Sequence, residues 1–438
     1  MTKAYELSQL YELYLNSEGV STDSRNITRG SIFFALKGEN FNGNNFALKS
    51  LEDGASYAVV DEDIGSDDPR VIYTHSVLET LQELAAHHRR ILKVPVIALT
   101  GSNGKTTTKE LITAVLSTKY RVSSTTDNFN NHIGVPITIL KLDKSTQMAV
   151  IEMGASGPRE IELLSSIAQP NIGLITNVGK AHLLGFGSFE GVKRTKGELY
   201  DYLEKSSGTA LYNSDNPHLC GMIALRVKLK TIPYGVTQQR VTICDPTAQN
   251  PYLKMILHSS REINTKLIGG YNADNILAAL AIGELMGTDP ELSAQAIENY
   301  TPSNNRSQLI KGKYNTLIVD AYNANPTSMR AALENFKNMD CTKRALVIGD
   351  MLELGEDSQM EHREILDLII QLNPSMLFFV GSEFESAANG NDFFHKNALF
   401  FKTSSDLRHF LESNPPKGMT FLIKGSRGTR LEKVLDVI

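Results

Sequence analysis

"VIALTGSNGKTTTKEL", residues 96–111, decides the fold, because an apolar run ends at Thr100 and Gly, Lys and Thr follow where a helix would begin. The common phosphate loop is G-x-x-x-x-G-K-[ST]. Counting five residues back from Gly104 reaches Leu99, so the first glycine, Gly101, comes two positions late. The stretch is therefore either an unusually short phosphate loop or a plain strand-to-helix turn with a cap.

The succession of Gly, Lys and Thr directly after an apolar run favours a nucleotide site over the plain turn, because all three residue types must coincide. In such a loop the backbone N–H groups point at a phosphate chain and the glycines let the backbone approach it. We expect Lys105 to reach the β and γ oxygens of a bound nucleotide and Thr106 to offer its hydroxyl to Mg²⁺.

The composition is typical of a folded multidomain protein that acts on small molecules. The 438 residues carry 44 Lys+Arg and 49 Asp+Glu, a net charge of −5, and no basic stripe indicates a nucleic acid partner. Mean hydropathy is −0.19, and no apolar segment is long enough to cross a bilayer. The first residues do not resemble a signal peptide, so we expect a cytoplasmic protein without membrane insertion. The three cysteines are far apart and predict neither disulfides nor a zinc site.

Alternating strand and helix patterns predict an α/β protein of three domains. Residues 1–93 contain three short apolar runs, read as strands of a small domain, and a helical pattern over residues 76–92. Residues 94–302 predict a doubly wound parallel sheet of the phosphate-loop type. Residues 303–438 repeat the alternation and predict a Rossmann-like sheet, and the polar stretch 298–307 sets the boundary.

Two candidates follow predicted strands of the central domain. Glu152 ends the strand in "AVIEMGAS", and His182 lies just past the next strand in "TNVGKAHL". Open α/β sheets place ligands at the carboxyl edge of their strands, and Mg²⁺ prefers one or two carboxylates with phosphate oxygens and waters. A solvated glutamate and a structural histidine are the alternatives. Their shared edge with the phosphate loop favours a metal site.

Two further stretches of the central domain are ambiguous. "DNFNNHIGVP", residues 127–136, is rich in amide side chains and predicts a loop that either contacts substrate or merely turns the chain. Lys196 lies on a predicted helix in "RTKGELY", where a solvated lysine is the usual outcome.

The C-terminal third ends two predicted strands in polar turns. These turns are "VDAYNANPTS", with Asp320, Asn323 and Asn325, and "IKGSRG", with Lys424, Ser426 and Arg427. Each turn alone is weak evidence. Two polar turns on one edge of one sheet favour a binding face.

These motifs resemble those of the Mur ligases, the ATP-dependent amino-acid and peptide ligases of peptidoglycan precursor synthesis. The resemblance covers essentially the whole chain. "GSNGKTT" matches the family's short G-x-x-G-K-[ST]-[ST] loop, and "STDSRNITRGSIFFALKGENFNGNNFA" resembles a uridine-nucleotide domain of the tripeptide-forming and D-alanyl-D-alanine-adding members. "DAYNANPTSM" with "VIGDMLELGE" is similar to the latter branch, and the D-N-P-R-type motif of the former is not found. One departure is Val319, where the family often has a second aspartate before the turn.

The resemblance implies a role for each matching residue. The ATP phosphates would be held by Gly101, Ser102, Asn103, Gly104, Lys105, Thr106 and Thr107. The adenine would contact Asn272 and Asn275, while Arg306 and Asp320 close on ATP. Metal ligands would be Thr106 and Glu152 for one Mg²⁺, His182 for a second, and Lys196, a lysine carbamylated in several relatives. Lys105, Glu152, His182 and Lys196 would form the catalytic set. Substrate contacts would come from Ser24, Arg25, Asn131, Tyr322, Asn323, Asn325, Lys424, Ser426 and Arg427.

The resemblance also implies a reaction. A monomeric enzyme would join D-alanyl-D-alanine to UDP-N-acetylmuramoyl-tripeptide through an acyl phosphate, with ATP and Mg²⁺. Two alternatives stay open: another ligase of the superfamily, tripeptide-forming or folate polyglutamylating, and a noncatalytic ATP-binding scaffold. The "TDSR" segment disfavours the folate enzyme, and the presence of Lys105, Thr106, Glu152 and His182 disfavours a decayed site.

Overall fold

The structure, a computed structural model, describes residues 6–247, 250–302, 305–341 and 343–438. It is an α/β protein of three domains, as the sequence predicts, and each domain is built on a mainly parallel sheet. The expected boundary between the central and C-terminal domains comes after residue 302. Ser303 and Asn304, which follow it, lie outside the described residues, as do residues 1–5. Across the described ranges, no helix is both long and apolar enough to cross a membrane.

The N-terminal domain carries a four-stranded parallel sheet in the order β1-β2-β5-β6 and a small antiparallel hairpin, β3-β4. The three apolar runs read from the sequence form β2, β5 and β6. Its elements are α1 (Leu7–Leu15), β1 (Val20–Ser21), β2 (Ile32–Phe34), β3 (Lys37–Gly38), β4 (Phe41–Asn42), α2 (Ala47–Glu52), β5 (Tyr57–Val60), β6 (Val71–Tyr73) and α3 (Val77–Leu92).

The central domain contains a six-stranded parallel sheet in the order β12-β11-β10-β7-β9-β8. Its elements are β7 (Val96–Thr100), α4 (Lys105–Leu116), β8 (Val122–Ser124), α5 (Gly134–Leu140), β9 (Met148–Glu152), α6 (Glu160–Ala168), β10 (Ile172–Ile175), α7 (Leu183–Phe186), α8 (Phe189–Lys205), β11 (Thr209–Asn213), α9 (Pro217–Ala224), β12 (Lys230–Tyr234), β13 (Thr242–Cys244), β14 (Tyr252–Ile256), β15 (Glu262–Ile268), α10 (Asn272–Leu285) and α11 (Pro290–Asn299).

The first central strand lies at the point where the strand order reverses. β7 pairs in parallel with β9 on one side and β10 on the other, so the chain winds outward first one way and then the other. A crevice opens at the carboxyl end of such a switch point. The loop that follows β7 is the quoted phosphate-loop stretch, and the sheet therefore places it in that crevice.

Two features of the central domain differ from the sequence expectation. β13, β14 and β15 form a separate antiparallel sheet, which the expectation of simple strand–helix alternation missed. In β15 buried and exposed residues alternate, the pattern of a sheet with one solvated face. The Asn-rich stretch is not a loop throughout, because α5 begins at Gly134 and includes Pro136, a residue tolerated in the first turn of a helix.

The C-terminal domain has a six-stranded sheet in the order β16-β17-β21-β18-β19-β20, in which only β16 is antiparallel to its neighbour. The last strand, β21, inserts between β17 and β18. The elements of the C-terminal domain are β16 (Gln308–Lys311), β17 (Thr316–Asp320), α12 (Pro326–Asn338), β18 (Arg344–Gly349), α13 (Ser358–Leu372), β19 (Met376–Val380), α14 (Glu383–Ala388), α15 (Asp392–Asn397), β20 (Ala398–Phe401), α16 (Ser404–Ser413) and β21 (Thr420–Lys424). Single 3₁₀ turns span Gly43–Phe46, Gly355–Asp357, Arg427–Thr429 and Leu431–Val434.

Local signals explain several helix ends. The Ser76 hydroxyl accepts a hydrogen bond from the Glu79 N–H at 3.3 Å and caps α3. Gly287 has φ +68° two residues after the end of α10, a left-handed conformation that suits glycine and terminates the helix.

The hydrophobic cores connect the domains. One core runs from Leu10 and Leu81 of the N-terminal domain to Val96 and Ile151 of the central sheet. The C-terminal core takes in Leu183, Phe186 and Val192 from the central domain. The central and C-terminal domains therefore meet beside α7, the short helix that follows His182.

Candidate active site

The phosphate loop runs from the end of β7 to the start of α4, and two of its glycines are required by geometry. Gly101 has φ +147°, and a Cβ there would lie 2.0 Å from Thr176 Oγ1. Gly104 has φ +76°, and a Cβ there would lie 2.6 Å from Asn275 Oδ1. Because larger side chains are excluded at both positions, the backbone can approach a bound group closely.

The end of β10 holds this loop in place. The Ser102 N–H donates to the Asn177 carbonyl and the Asn103 N–H to the Asn177 side chain, each at 3.0 Å. The Thr176 hydroxyl donates to the Asn103 carbonyl at 2.6 Å. Sequence reasoning missed Thr176 and Asn177, although both follow a strand beside β7. Their bonds fix the loop conformation before any ligand binds.

Lys105 begins α4, at the positive end of the helix dipole. Its Nζ donates to the Gly101 carbonyl at 2.7 Å, so the ammonium folds over the loop. Burial lowers the pKa of Lys105, the Glu152 carboxylate opposes that shift, and the Arg306 guanidinium adds to it. The N-terminus of α4 and the nearby Arg306 guanidinium place positive charge where anionic phosphates would sit, and a bound phosphate would favour the charged form of Lys105.

Glu152, at the end of β9, is 2% exposed and has one oxygen without a partner among the described residues. Its Oε1 accepts a hydrogen bond from Asn130 Nδ2 at 2.8 Å, and its backbone N–H donates to Thr125 Oγ1 at 3.0 Å. An unpartnered carboxylate oxygen at this depth is costly unless a cation or donor satisfies it. Glu152 and the buried hydroxyl residue Thr106 therefore fit a divalent cation.

The described ranges contain no all-protein metal cage, because no group of three or more His, Cys, Asp or Glu side chains is placed there to hold a metal ion. A Mg²⁺ that keeps waters and phosphate oxygens needs only one or two protein ligands, so the Glu152 site suits a metal carried with a nucleotide.

His182 lies between the central and C-terminal domains. It has φ +51°, and its Nδ1 contacts the carboxylate of Glu353, which itself has φ +66° in the loop after β18. Burial lowers the pKa of His182, the Glu353 carboxylate opposes this effect, and the nearby cations Lys105 and Lys196 reinforce it. The quoted "VIGDMLELGE" motif contains Glu353, but nothing in the motif alone distinguishes Glu353 from its neighbours.

Lys196 is not the solvated lysine that helix statistics favour, because it is 2% exposed on the inner face of α8. Its Nζ lies 3.4 Å from the Ala155 carbonyl and 5.3 Å from the centre of the Phe186 ring. Burial lowers the pKa of Lys196 well below that of a free lysine, and repulsion from Lys105 adds to the shift. The amine is thereby biased toward its neutral, nucleophilic form.

Asn272 and Asn275 link the phosphate loop to α10. The Asn275 Nδ2 donates to Asn272 Oδ1 at 2.9 Å, and its Oδ1 accepts from Thr108 of α4 at 3.0 Å. Asn272 donates to the Ile268 carbonyl at 2.8 Å. Both side chains are buried, Asn275 directly beside Gly104, and a contact of either with adenine stays a prediction.

The two polar turns of the C-terminal domain meet at adjacent parallel strands. Asp320 and Lys424 are register partners in β17 and β21, and Lys424 Nζ lies 2.5 Å from Asp320 Oδ2. Lys424 is only 1% exposed, and the Ser426 hydroxyl donates to the Ala324 carbonyl at 3.3 Å. In this structure Lys424 and Ser426 stabilise the two turns through these internal contacts. Direct contact of either residue with substrate stays a prediction.

Tyr322 presents an aromatic face between two cations. The Arg306 guanidinium carbon lies 3.5 Å from the ring centre and that of Arg427 lies 5.3 Å away. Arg306 Nε is buried without a partner among the described residues. Sequence analysis predicted Arg306, Tyr322 and Arg427 as binding residues. The structure brings their side chains together as a cation–π group.

The phosphate loop and the C-terminal domain touch directly. The Asn325 Nδ2 donates to Asn103 Oδ1 at 2.8 Å, and Asn325 Oδ1 accepts from the N–H of Ser328 to cap α12. The carbonyl of Asn323, two residues earlier, accepts from Lys424 Nζ at 3.4 Å. The expected phosphate-loop and C-terminal residues therefore share one cleft.

Three residues expected to contact substrate, Ser24, Arg25 and Asn131, make local contacts away from the phosphate loop. Arg25 forms an ion pair of 2.8 Å with Asp23 on the exposed surface of the N-terminal domain, and Ser24 lies between them in the sequence. The Asn131 side chain accepts from the Gly134 N–H at 2.8 Å at the start of α5. Asn130, which sequence reasoning did not select, holds Glu152 instead.

Family models match nearly the whole chain. The Mur ligase family catalytic domain matches residues 16–100, the Mur ligase middle domain matches residues 99–283, and the Mur ligase glutamate ligase domain matches residues 305–427.

Individual relatives match at similar extent. The UDP-N-acetylmuramoyl-tripeptide–D-alanyl-D-alanine ligase of Bacillus subtilis (strain 168) is 35% identical over 425 residues, covering 95% of this chain and 92% of that protein. The crystal structure I of MurF from Acinetobacter baumannii has a TM-score of 0.86 at 30% identity and covers 99% of this chain and 98% of its own. MurF ligase from Thermotoga maritima in complex with ADP has a TM-score of 0.83 at 27% identity, with 97% of both chains covered.

Proposed function

This chain belongs to the Mur ligase family, and we propose that it joins D-alanyl-D-alanine to UDP-N-acetylmuramoyl-tripeptide with hydrolysis of ATP to ADP and phosphate. The observation that carries the proposal is the 35% identity to the Bacillus subtilis ligase of that name over 95% of the chain. The cleft supports it, because Lys105, Glu152 and His182 converge there with the C-terminal turns.

An amide does not form readily from a carboxylate in water, so the carboxylate needs a better leaving group. The terminal carboxylate of the tripeptide attacks the γ-phosphorus of ATP, which forms an acyl phosphate and releases ADP. The amine of D-alanyl-D-alanine then attacks the acyl carbon, and phosphate leaves as the amide forms. No protein nucleophile is needed, and the protein contributes positioning and charge.

The phosphate loop supplies most of that charge. Its N–H groups at the start of α4 face the phosphates, and Lys105 can exchange the Gly101 carbonyl for a phosphate oxygen. Arg306 carries a guanidinium whose buried Nε has no partner among the described residues, and it is suited to close on ATP from the C-terminal side. These groups offset the repulsion between two anionic reactants.

One Mg²⁺ would be held by Glu152 and Thr106 and a second by His182, with carbamylated Lys196 as a further ligand, and these ions would supply charge neutralisation at the phosphates. The orphaned Oε2 of Glu152 supports this assignment. The depressed pKa of Lys196 supports carbamylation, because a neutral amine adds to CO₂ and the product is a carboxylate-like ligand.

Several finer points are part of this proposal. We propose boundaries after residues 93 and 302, a monomeric enzyme and a cytoplasmic location. Ser24 and Arg25 are proposed to contact the uridine nucleotide, and Asn131, Tyr322, Asn323 and Asn325 are proposed near the other substrates.

The test is ADP release by the purified protein with UDP-N-acetylmuramoyl-tripeptide, with and without D-alanyl-D-alanine. Sustained turnover that requires both is expected. Turnover with a folate and glutamate, or with UDP-N-acetylmuramoyl-dipeptide and an amino acid, would identify another ligase of the superfamily. ATP binding without turnover on any of these would identify a scaffold.

A further inference from the structure

We propose that Glu353 is a positioning residue for His182. Its carboxylate, supplied by the C-terminal domain, holds the imidazole of the central domain so that Nε2 is the nitrogen presented to the second Mg²⁺. This inference deepens the proposed function and rests on its assignment of His182 to that ion.

The contact between the two residues joins two domains. His182 lies between β10 and α7 of the central domain, and its Nδ1 contacts the carboxylate of Glu353 in the loop after β18 of the C-terminal domain. The Leu184 N–H donates to the Glu353 carbonyl at 3.2 Å, and Leu354 packs in the same core as Leu183. The carboxylate therefore reaches His182 only while the two domains are packed together.

Both residues have a left-handed backbone conformation. His182 has φ +51° and Glu353 has φ +66°. Residues other than glycine adopt this conformation rarely, and they keep it where the surrounding structure imposes it. Two such residues, one from each domain, face each other here, so packing on both sides determines the geometry of their contact.

The C-terminal domain fixes the loop that carries Glu353. The Met351 N–H donates to Nε2 of the fully buried His362 at 3.1 Å, and the Leu352 N–H donates to Ser426 Oγ at 3.0 Å. The two residues before Glu353 are thus bonded to other parts of the same domain. The loop moves with that domain as a unit, and the position of the carboxylate follows the position of the domain.

The His182 ring needs a partner at Nδ1. The side chain is 31% exposed, but the Nδ1 atom is buried and has no aligned hydrogen bond among the described residues. A histidine that binds a metal through Nε2 carries its proton on Nδ1 and donates it to a carboxylate, a carbonyl or water. The Glu353 carboxylate is already in contact with Nδ1, and a small rotation of either side chain would align the bond.

The alternative is an ion pair without a role in the site. The Glu353 side chain is 57% exposed, and pairs of this kind contribute little to stability. However, His182 lies close enough to Lys105 and Lys196 for their charges to act on it, so the ring is beside the phosphate loop. We therefore expect loss of Glu353 to change metal affinity and to leave folding nearly unaffected.

Titration of Mn²⁺ into the protein with a nonhydrolysable ATP analogue, followed by electron paramagnetic resonance, measures the number and affinity of bound ions without turnover. His182→Ala should lose one of two ions. Glu353→Ala should weaken that same ion about tenfold or more and leave the other within about twofold of wild type, because loss of a group that orients a metal ligand has an effect of this size.

Two further variants separate orientation from charge. Glu353→Gln removes the charge but keeps an oxygen that accepts from Nδ1, so it should recover most of the affinity, to within about threefold of wild type. Glu356→Ala removes the same charge from an exposed position three residues further along the loop and is the matched control. It should bind both ions as the wild type does.

The tautomer of His182 is a readout that a purely structural role would not change. Long-range ¹H–¹⁵N NMR of the metal-free protein with ¹⁵N-labelled histidine, under mildly alkaline conditions where the ring is neutral, identifies the protonated nitrogen. The signal is assigned by its absence in His182→Ala. Wild type should carry the proton on Nδ1, and Glu353→Ala should shift it in part to Nε2, while the two proteins unfold at nearly the same temperature.

Other results overturn the assignment. Wild-type affinity for both ions in Glu353→Ala refutes the positioning role, and an equal loss in Glu353→Ala and Glu353→Gln assigns the effect to charge instead. Two ions bound unchanged by His182→Ala would remove His182 as a ligand and this inference with it. The ligase function stands or falls separately, on turnover of the wild-type protein with UDP-N-acetylmuramoyl-tripeptide and D-alanyl-D-alanine.

Discussion

Asn103 in the phosphate loop and Asn325 in the C-terminal domain are joined by a hydrogen bond of 2.8 Å between Asn325 Nδ2 and Asn103 Oδ1, across 222 residues of sequence. Asn103 is also fixed by the end of β10, and Asn325 also caps α12. The bond therefore couples the position of the loop to that of a helix in another domain.

A double-mutant cycle tests this coupling. Asn325→Ser keeps a good helix cap but cannot reach Asn103, and Asn103→Ala removes the other partner. Each change should lower kcat/KM about three- to tenfold, the net worth of one hydrogen bond, and the double variant should lose no more than either single variant. Losses that simply multiply would show that the two amides act independently. Thermal unfolding of Asn325→Ser checks that the cap is intact.

Lys105→Ala should lower kcat by about a hundredfold or more while the protein stays folded. The reason is that a cation aimed at the phosphates stabilises the charge of phosphoryl transfer, and groups of this kind contribute several kcal/mol. Single-turnover measurements of acyl phosphate formation are the appropriate assay. Lys228→Ala, an exposed lysine before β12, is the control. Near-normal turnover in Lys105→Ala would contradict the phosphate-loop assignment.

Asn130→Ala should raise the Mg²⁺ concentration needed for half-maximal activity about tenfold. Asn130 Nδ2 donates to Oε1 of Glu152, which leaves Oε2 available to a metal ion. Loss of a group that orients a metal ligand typically lowers metal affinity by about 10- to 100-fold. Titration of Mn²⁺ with ADP, followed by electron paramagnetic resonance, measures the affinity without turnover. Asn128→Ala, an exposed neighbour, should leave that affinity unchanged.

The fold was largely predictable from the sequence because local signals agree with the tertiary structure. The apolar runs before Gly101 and around Glu152 are fully buried central strands, and parallel strands of that kind lack alternation. The antiparallel sheet of β13–β15 was missed because its polar alternating strands resemble loops between helices.

The position of a candidate residue was predictable where that residue ends a strand at the carboxyl edge of a parallel sheet. Glu152 in the central sheet and Asp320 in the C-terminal sheet are such residues, and their placement follows from strand register. Glu353 and Asn130 could not be chosen in this way. Glu353 contacts His182 only because two domains pack together. Asn130 and Asn131 are adjacent residues of the same type, and only the direction of their side chains determines that Asn130, and not Asn131, reaches Glu152.

Lys196→Met should abolish or strongly reduce activity and yet stabilise the fold at neutral pH. Burial and the neighbouring Lys105 lower the pKa of Lys196 in the folded state, and the carboxylates of Glu160 and Glu198 only partly oppose this shift. The unfolded chain therefore binds more protons than the folded one between the lowered folded pKa and about 10.4, the pKa of a free lysine. In that interval the stability of the wild-type protein rises with pH, by at most about 1.4 kcal/mol per pH unit.

The advantage of the methionine variant should accordingly be largest below the folded pKa and shrink as the pH approaches 10. Urea unfolding of both proteins at several pH values, in buffer depleted of CO₂ so that the amine stays unmodified, measures the difference. Lys205→Met, an exposed lysine in the last turn of the same helix, should show no such trend. A difference between Lys196→Met and wild type that stays constant with pH would mean that Lys196 has the same protonation in the folded and unfolded states, and the argument for its reactivity toward CO₂ would fail with it.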